Sequence, residues 1–171
     1  LLDFVPAAST VKGRDFSQKK QTSLGDSLQN ELGVSSTGFG PNSSRPVIRG
    51  LDGDRIKVLQ NGLGTIDASS QSADHAITAD TLTMDQIEIV RGPMTLLYGS
   101  SAVGGIVNLV TNRIHSSFHE GFKAQTMTQY ESVSSGLSNS IKVDFGKHDW
   151  MFHVDGSTRN LQNIDTPVGE I

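Results

Sequence analysis

The residues best suited to binding an ion are Asp74 and His75, which are adjacent in the polar segment 64–81. They offer a carboxylate oxygen and an imidazole nitrogen, which Zn²⁺ accepts, and the chain has no cysteine to supply a thiolate. Neighbouring side chains on a regular strand point to opposite faces, so joint binding requires an irregular turn here. Two ligands also leave two tetrahedral positions open. The pair therefore predicts half of a zinc site.

A structural role is the alternative for this pair. Asp74 could cap residues 76–78 and His75 could simply be solvated. Asp67 and Asp80 are further carboxylates that could support the ligands or line the access path, although no motif supports either role.

Arg49 and Arg91 form the second group of interest, because each precedes a glycine on a predicted strand. A charged side chain within a small packed domain is costly unless it is paired. A guanidinium suits such pairing because it offers carboxylates a flat, two-pronged donor. Local pairing with Glu88 or Asp54 is the alternative.

A short helix is predicted within residues 15–32, packed on a sheet. Thr22 or Ser23 is the expected N-cap, and Gly33 is the expected stop signal. The apolar residues at helical spacing are Phe16, Leu24, Leu28 and Leu32.

Runs rich in Val, Ile and Leu predict a small mixed sheet. Asn61-Gly62 is a strong turn signal, and residues 34–44, with their Gly, Ser, Pro and Asn, predict a loop. The periodicity of these strands would also be typical of an ordinary small α+β domain. The predicted strands are residues 47–48, 55–59, 87–90 and 106–110.

Apolar and polar side chains alternate with period two after residue 114. Segments of about ten residues that alternate in this way, separated by turns, are typical of transmembrane β-barrel strands. An antiparallel meander with one solvated face is the alternative. The alternating segments are residues 122–131, 141–145 and 150–155, with a polar loop at 132–138 and a tight turn at 146–149.

Three segments carry a family resemblance: Ile48-Arg49-Gly50, Val90-Arg91-Gly92-Pro93, and LYGSSAVGGIVN at residues 97–108. Because the three segments occur in the order found in that family, the chain resembles the plug domain of TonB-dependent outer-membrane receptors over residues 10–114.

The resemblance implies an α+β plug domain followed by the first antiparallel strands of a transmembrane β-barrel. The expected divisions are an N-terminal segment at 1–9, the plug at 10–114 and about three barrel strands at 115–171. Three strands cannot close a barrel, and open edges do not persist in lipid. The chain is therefore expected to be part of a larger receptor.

The resemblance also implies a location and partners. The protein is expected in the outer membrane of a Gram-negative bacterium, with the plug inside the barrel lumen. Expected partners are a TonB-type energy-transducing protein, outer-membrane lipid and the remainder of its own barrel. Residues 1–6 contain no convincing energy-coupling box.

Site residues follow from the same resemblance. Arg49 and Arg91 correspond to a plug–barrel lock that faces glutamates on the barrel wall. The remaining histidines are interpreted as ordinary surface or lumen residues; they are His115, His119, His148 and His153.

Residues 52–80 are similar to the ZnuD-like branch of these receptors, which takes up zinc. There the plug's Asp-His pair belongs to the zinc site, which implies Asp74 and His75 as metal ligands and Zn²⁺ as the transported substrate, with no catalytic cofactor. A siderophore, haem or other metal-complex receptor is the alternative, and a structural barrel or a soluble binding module is the alternative of another class.

Several functions are excluded or disfavoured by the sequence. The net charge of −4 provides no basic surface for nucleic acid, and no run approaches the ~18 apolar residues of a transmembrane helix. Residues 99–104 have the glycine spacing of a phosphate loop, but Gly105-Ile106 stand where Lys and Ser or Thr are needed. We therefore predict that the protein is not an enzyme.

Overall fold

The computed structural model describes residues 8–38, 43–65, 72, 75, 77, 79–115, 117–162, 165–166 and 169–170. The chain divides into two compact units, Leu1–Thr111 and Asn112–Ile171. The first is an α+β domain and the second is mainly antiparallel sheet. Within the described ranges, no helix is long and apolar enough to cross a membrane.

The first unit is built on a five-stranded mixed sheet, as predicted. Its strands are β1 (Ala8–Lys12), β4 (Ile56–Gln60), β5 (Leu63–Gly64), β6 (Gln86–Val90) and β7 (Gly105–Val110). They lie in the order β1-β6-β7-β4-β5, and only β4 and β7 run parallel. Asn61 and Gly62 have φ of 52° and 80° and join β4 to β5, which confirms the predicted turn. The sequence prediction missed β1, whose one buried residue is Val11.

A separate two-stranded ribbon corrects two predictions. It consists of β2 (Val34–Gly38) and β3 (Ser44–Ile48), which pair antiparallel. Residues 34–38 were predicted as loop because they are mostly Ser, Thr and Gly. Their backbone nevertheless pairs along its whole length, because Val34 opposite Ile48 buries one end of the ribbon. Residues 47–48 thus belong to this ribbon and not to the mixed sheet.

The predicted helix is two helices, α1 (Gly13–Lys19) and α2 (Leu24–Leu28). The chain is extended at Ser23 (φ −107°, ψ 157°), whose hydroxyl accepts a hydrogen bond from the Asp26 amide, so Ser23 is confirmed as an N-cap. Leu32 is 90% exposed, so its predicted place in the core is wrong. The helical spacing no longer applies to it because α2 ends at Leu28.

The core of the first unit joins α1, α2 and the ribbon to the sheet. It contains the predicted apolar residues Phe16, Leu24 and Leu28 at 0–2% exposure. The other members are Val11, Val34, Ile48, Ile56, Met84, Ile87, Ile89, Val107 and Leu109.

The second unit contains a three-stranded sheet in the order β10-β9-β8. Its strands are β8 (Gly121–Glu131), β9 (Gly136–Lys147) and β10 (Trp150–Asn160), and a short hairpin follows with β11 (Asp165–Thr166) and β12 (Gly169–Glu170). The predicted tight turn between β9 and β10 is present and contains His148 at φ 54°. The preceding loop is shorter than predicted, since β9 already begins at Gly136.

Burial along β9 is the reverse of that in a water-soluble sheet. The polar residues Ser138, Ser140, Lys142 and Asp144 are buried, whereas the apolar Leu137, Ile141 and Phe145 on the opposite face are 42–50% exposed. Strand β10 shows the same alternation over Trp150–Asp155. Apolar side chains outward and polar side chains inward are the arrangement of a barrel wall in lipid.

Aromatic residues gather at one end of this exposed face. Phe122, Phe145 and Phe152 are cross-strand neighbours, and Trp150 stacks on Phe152 with ring centroids 6.3 Å apart. Such a cluster beside a tight turn is typical of the aromatic girdle at a membrane interface.

Candidate functional site

The predicted zinc-binding pair lies only partly in the described residues. Asp74, like Asp67, is outside them, whereas His75 is exposed. The His75 amide donates a hydrogen bond of 3.4 Å to the carbonyl of Ser72.

Asp80 has a structural role at the end of the same segment. Its Oδ1 accepts a hydrogen bond of 3.1 Å from the Leu82 amide and so caps the 3-10 turn Thr81–Thr83. The Thr81 hydroxyl donates to the carbonyl of Gln21 at 2.7 Å. These bonds attach the end of the polar segment to the core of the domain.

The charges of the two predicted lock arginines interact in the structure. Arg49 is exposed at φ 51°, just after β3, and Arg91 is half-buried just after β6. Burial lowers the pKa of Arg91, the positive charge of Arg49 lowers this pKa further, and Glu31 opposes the shift. Within the described residues, the buried Nε of Arg91 has no hydrogen-bond partner.

Glu88, one of the local partners considered for these arginines, is engaged elsewhere. Its two carboxylate oxygens accept hydrogen bonds from Gln86 Nε2 at 2.6 Å and Asn108 Nδ2 at 2.9 Å. The half-buried guanidinium of Arg91 is therefore still suited to an anionic partner.

A cluster in the second unit brings together residues that sequence reasoning had set aside. Asp144 Oδ1 lies 2.6 Å from His153 Nδ1 and 3.2 Å from His115 Nε2. One ligand atom from each of the three residues lies within 4.8 Å of the others. Their side chains are only 11–13% exposed. Two imidazoles and a carboxylate at these distances could hold a metal ion.

Asp155 contacts the cluster through His153 and is itself held by Arg113. His153 Nε2 lies 3.1 Å from Asp155 Oδ1, and the Arg113 guanidinium donates two hydrogen bonds of 2.7 Å to the same carboxylate. The two-pronged Arg113 contact fixes the carboxylate, which in turn orients the imidazole of His153.

The hairpin register explains part of this cluster, and the sequence contained the signal for it. Pairing Lys147 with Trp150 across a two-residue turn places Asp144 opposite His153. The period-two alternation then puts both on the buried face with Asp155. The interpretation of His153 as an ordinary residue overlooked this register.

The remaining histidines differ from one another. His115 and His119 precede β8, and their rings lie 5.4 Å apart. The buried Nε2 of His119 has no hydrogen-bond partner among the described residues. His148 is exposed in the β9–β10 turn, in agreement with its interpretation as a surface residue.

Comparison with known proteins assigns residues 2–106 to a family. A family model described as TonB-dependent Receptor Plug Domain matches residues 2–106. The chain is 27% identical over 142 residues to the iron-regulated outer membrane virulence protein of Vibrio cholerae, covering 79% of this chain and 22% of that protein. It is 30% identical over 131 residues to the vitamin B12 transporter BtuB of Vibrio cholerae, covering 75% and 20%.

A solved structure with the same fold is that of the ferric enterobactin receptor from Pseudomonas aeruginosa. It superposes with a TM-score of 0.74 at 18% identity, over 95% of this chain and 25% of that chain. The chain spans about a fifth of the length of the curated relatives it matches. Because the plug model matches more than half of its residues, the chain belongs to the TonB-dependent receptor plug domain family.

Proposed function

We propose that this chain is part of an outer-membrane receptor that takes up a scarce nutrient, with zinc ion as the transported substrate. The plug occupies the barrel lumen, and zinc binds between its outer loop and the barrel. A TonB-type partner supplies the energy by pulling on a segment that precedes the plug. The protein acts as a receptor and transporter, not as an enzyme.

The observation that carries the zinc assignment is the adjacent Asp74 and His75 in segment 64–81. This segment contains no aromatic residue, which favours a bare ion over an organic chelate. His75 is exposed, and the chain has no thiolate ligand to offer because it lacks cysteine.

Metal analysis of the full-length receptor in detergent tests this assignment. We expect about one equivalent of zinc at the loop, measured by mass spectrometry after equilibration with excess Zn²⁺ and removal of unbound metal. The Asp74→Ala/His75→Ala variant should hold one equivalent of zinc less than the parent receptor. His148→Asn removes an exposed histidine elsewhere and serves as the matched control. Unchanged zinc content in the double variant would contradict the loop assignment and leave the receptor class intact.

An iron chelate or vitamin B12 is the second candidate substrate. The names of the two Vibrio cholerae relatives favour it, since one is iron-regulated and the other transports vitamin B12. Direct binding of a ferric siderophore or of cobalamin to the zinc-free receptor, retained in Asp74→Ala/His75→Ala, would support this candidate over zinc.

Arg49 and Arg91 are proposed as the plug–barrel lock. Their partners are carboxylates on barrel strands outside this chain. The proximity of two guanidiniums and the desolvation of Arg91 support this role, because both make an anionic partner favourable.

A further inference from the structure

We propose that His115, Asp144 and His153 form a metal site of their own, for a borderline divalent cation such as Zn²⁺. All three residues lie in the second unit, so the site is built without the loop that carries Asp74 and His75. It therefore does not depend on which substrate the receptor transports.

The spacing of the ligand atoms matches what a zinc ion requires. Zinc bonds of about 2.0–2.1 Å in a tetrahedron place neighbouring ligand atoms about 3.3 Å apart. The separation between His115 Nε2 and Asp144 Oδ1 is 3.2 Å, and that between His153 Nδ1 and Asp144 Oδ1 is 2.6 Å. The second separation must lengthen by about 0.7 Å, and the ligand atoms of His115 and His153 lie within 4.8 Å of each other. Small side-chain rotations bring all three atoms to the zinc spacing.

The surroundings of His153 favour a metal on its Nδ1. In metal sites, a ligating imidazole usually donates its other N–H to a carboxylate, which fixes the tautomer and orients the ring. Asp155 is in that position, 3.1 Å from His153 Nε2, and Arg113 holds it with two hydrogen bonds. Asp155 is therefore a positioning residue and not a ligand.

His119 offers a further nitrogen donor beside His115. Its ring lies 5.4 Å from that of His115, and its Nε2 is buried with no hydrogen-bond partner in the described part of the chain. A buried nitrogen without a partner is unfavourable. A bound cation, or a water on that cation, would satisfy it and complete four-coordination.

Without a metal, the same contacts describe the imidazole of His153 hydrogen-bonded between the carboxylates of Asp144 and Asp155. That arrangement needs neither His115 nor His119, and it predicts no saturable cation binding. Removing His115 therefore distinguishes a metal site from a simple ion-pair cluster.

The test uses the full-length receptor in detergent, in the Asp74→Ala/His75→Ala background. Zn²⁺ binding is measured by calorimetry and Co²⁺ binding by visible absorption, which reports coordination geometry. His115→Gln and Asp144→Asn each remove a ligand, Asp155→Asn removes the positioning carboxylate, and His148→Asn is the control. Heat-dependent gel mobility of every variant reports whether its barrel has folded.

About one zinc per receptor should remain in this background, with a tetrahedral Co²⁺ spectrum. Asp155→Asn should weaken binding by about 10–100-fold, and loss of either ligand should weaken it further. Absence of zinc from the background variant, or unchanged affinity in folded His115→Gln and Asp144→Asn, would overturn the site. If the Asp74→Ala/His75→Ala change by itself abolishes zinc binding, only the transport assignment is supported. If that change leaves zinc binding unaltered and His115→Gln or Asp144→Asn then abolishes it, only this second site is supported.

Discussion

At the scale of single residues, Arg91 is a half-buried cation whose Nε has no hydrogen-bond partner in the described chain. If barrel carboxylates pair with it, Arg91→Ala should lower the resistance of the plug to extraction by urea. The expected loss is about 1.5–3 kcal/mol, the value of a hydrogen bond to a charged group. Limited proteolysis of the full-length receptor across a urea series would measure it.

The direction in which Arg91→Ala changes the plug's resistance to urea shows whether Arg91 has a barrel partner. Without a barrel partner, Arg91→Ala would relieve desolvation and repulsion from Arg49, so plug resistance would be unchanged or higher. Arg91→Lys keeps the charge but lacks the two-pronged donor, and should recover only part of the resistance. The exposed Arg14 on α1, changed to Ala, is the matched control.

Lys20 is a second residue whose charge serves the fold. It is 5% exposed, and its Nζ donates to the carbonyls of Leu82 (3.1 Å) and Met84 (2.7 Å) while lying 4.9 Å over the Phe16 ring. Lys20→Met keeps the stem but leaves both carbonyls without this donor. We expect a loss of about 1–3 kcal/mol in the free energy of unfolding of the plug, measured by urea denaturation.

A matched control for Lys20 is Lys12→Met, since Lys12 is exposed on β1. That change should stay within about 0.5 kcal/mol of the parent protein. Equal unfolding free energies for the two variants would contradict the anchoring role of Lys20.

At the scale of elements, α2 lies very close to β3. A Cβ added at Gly25 would lie 2.7 Å from the Arg45 backbone nitrogen and carbon. Gly25→Ala should therefore force α2 away from the ribbon and cost about 1–3 kcal/mol, as overpacking does. Urea denaturation monitored by circular dichroism measures this, with Gln29→Ala at the exposed end of α2 as the control.

Arginine substitutions on the two faces of β10 test whether the second unit faces lipid. Val154 is 68% exposed on the apolar face, and Ser157 belongs by register to the opposite face. In a bilayer, Val154→Arg should cost up to about 2–4 kcal/mol of folding free energy, and Ser157→Arg much less. Urea unfolding of the full-length receptor in lipid vesicles measures both. A meander with one solvated face would tolerate arginine at Val154, so equal stability of the two variants would favour that alternative.

At the scale of the whole molecule, the two units bury opposite kinds of side chain. The first has an apolar core, whereas the second exposes large apolar residues, with Phe122, Trp150 and Val154 at 68–70% exposure. We expect residues 1–171 to need detergent to stay monomeric, and residues 1–111 to stay monomeric in plain buffer. Sedimentation with and without detergent measures this, and a detergent-free monomer of 1–171 would support a soluble binding module instead.

Local patterns allowed much of this architecture to be predicted. The strands predicted at residues 122–131 and 150–155, the Asn61-Gly62 turn and the Ser23 cap each depend on a few neighbouring residues, and the structure confirms them. Predictions failed where tertiary pairing outweighed composition. Residues 34–38 look like a loop but pair with β3, and the helical spacing continued to Leu32 although α2 had ended.

The sequence by itself determined the plug signatures, the strand periodicity and the Asp74–His75 pair, because each lies within a short stretch whose chemistry can be identified locally. Only the tertiary structure decided which distant residues meet. It lets the charges of Arg49 and Arg91 interact, and it brings His115 to the Asp144–His153 pair of the hairpin. Chain folding closes such contacts across tens of residues, and no local period encodes them. The sequence could therefore indicate the Asp74–His75 pair and the pairing of Asp144 with His153 within one hairpin, while the approach of His115 to that pair became visible only in three dimensions.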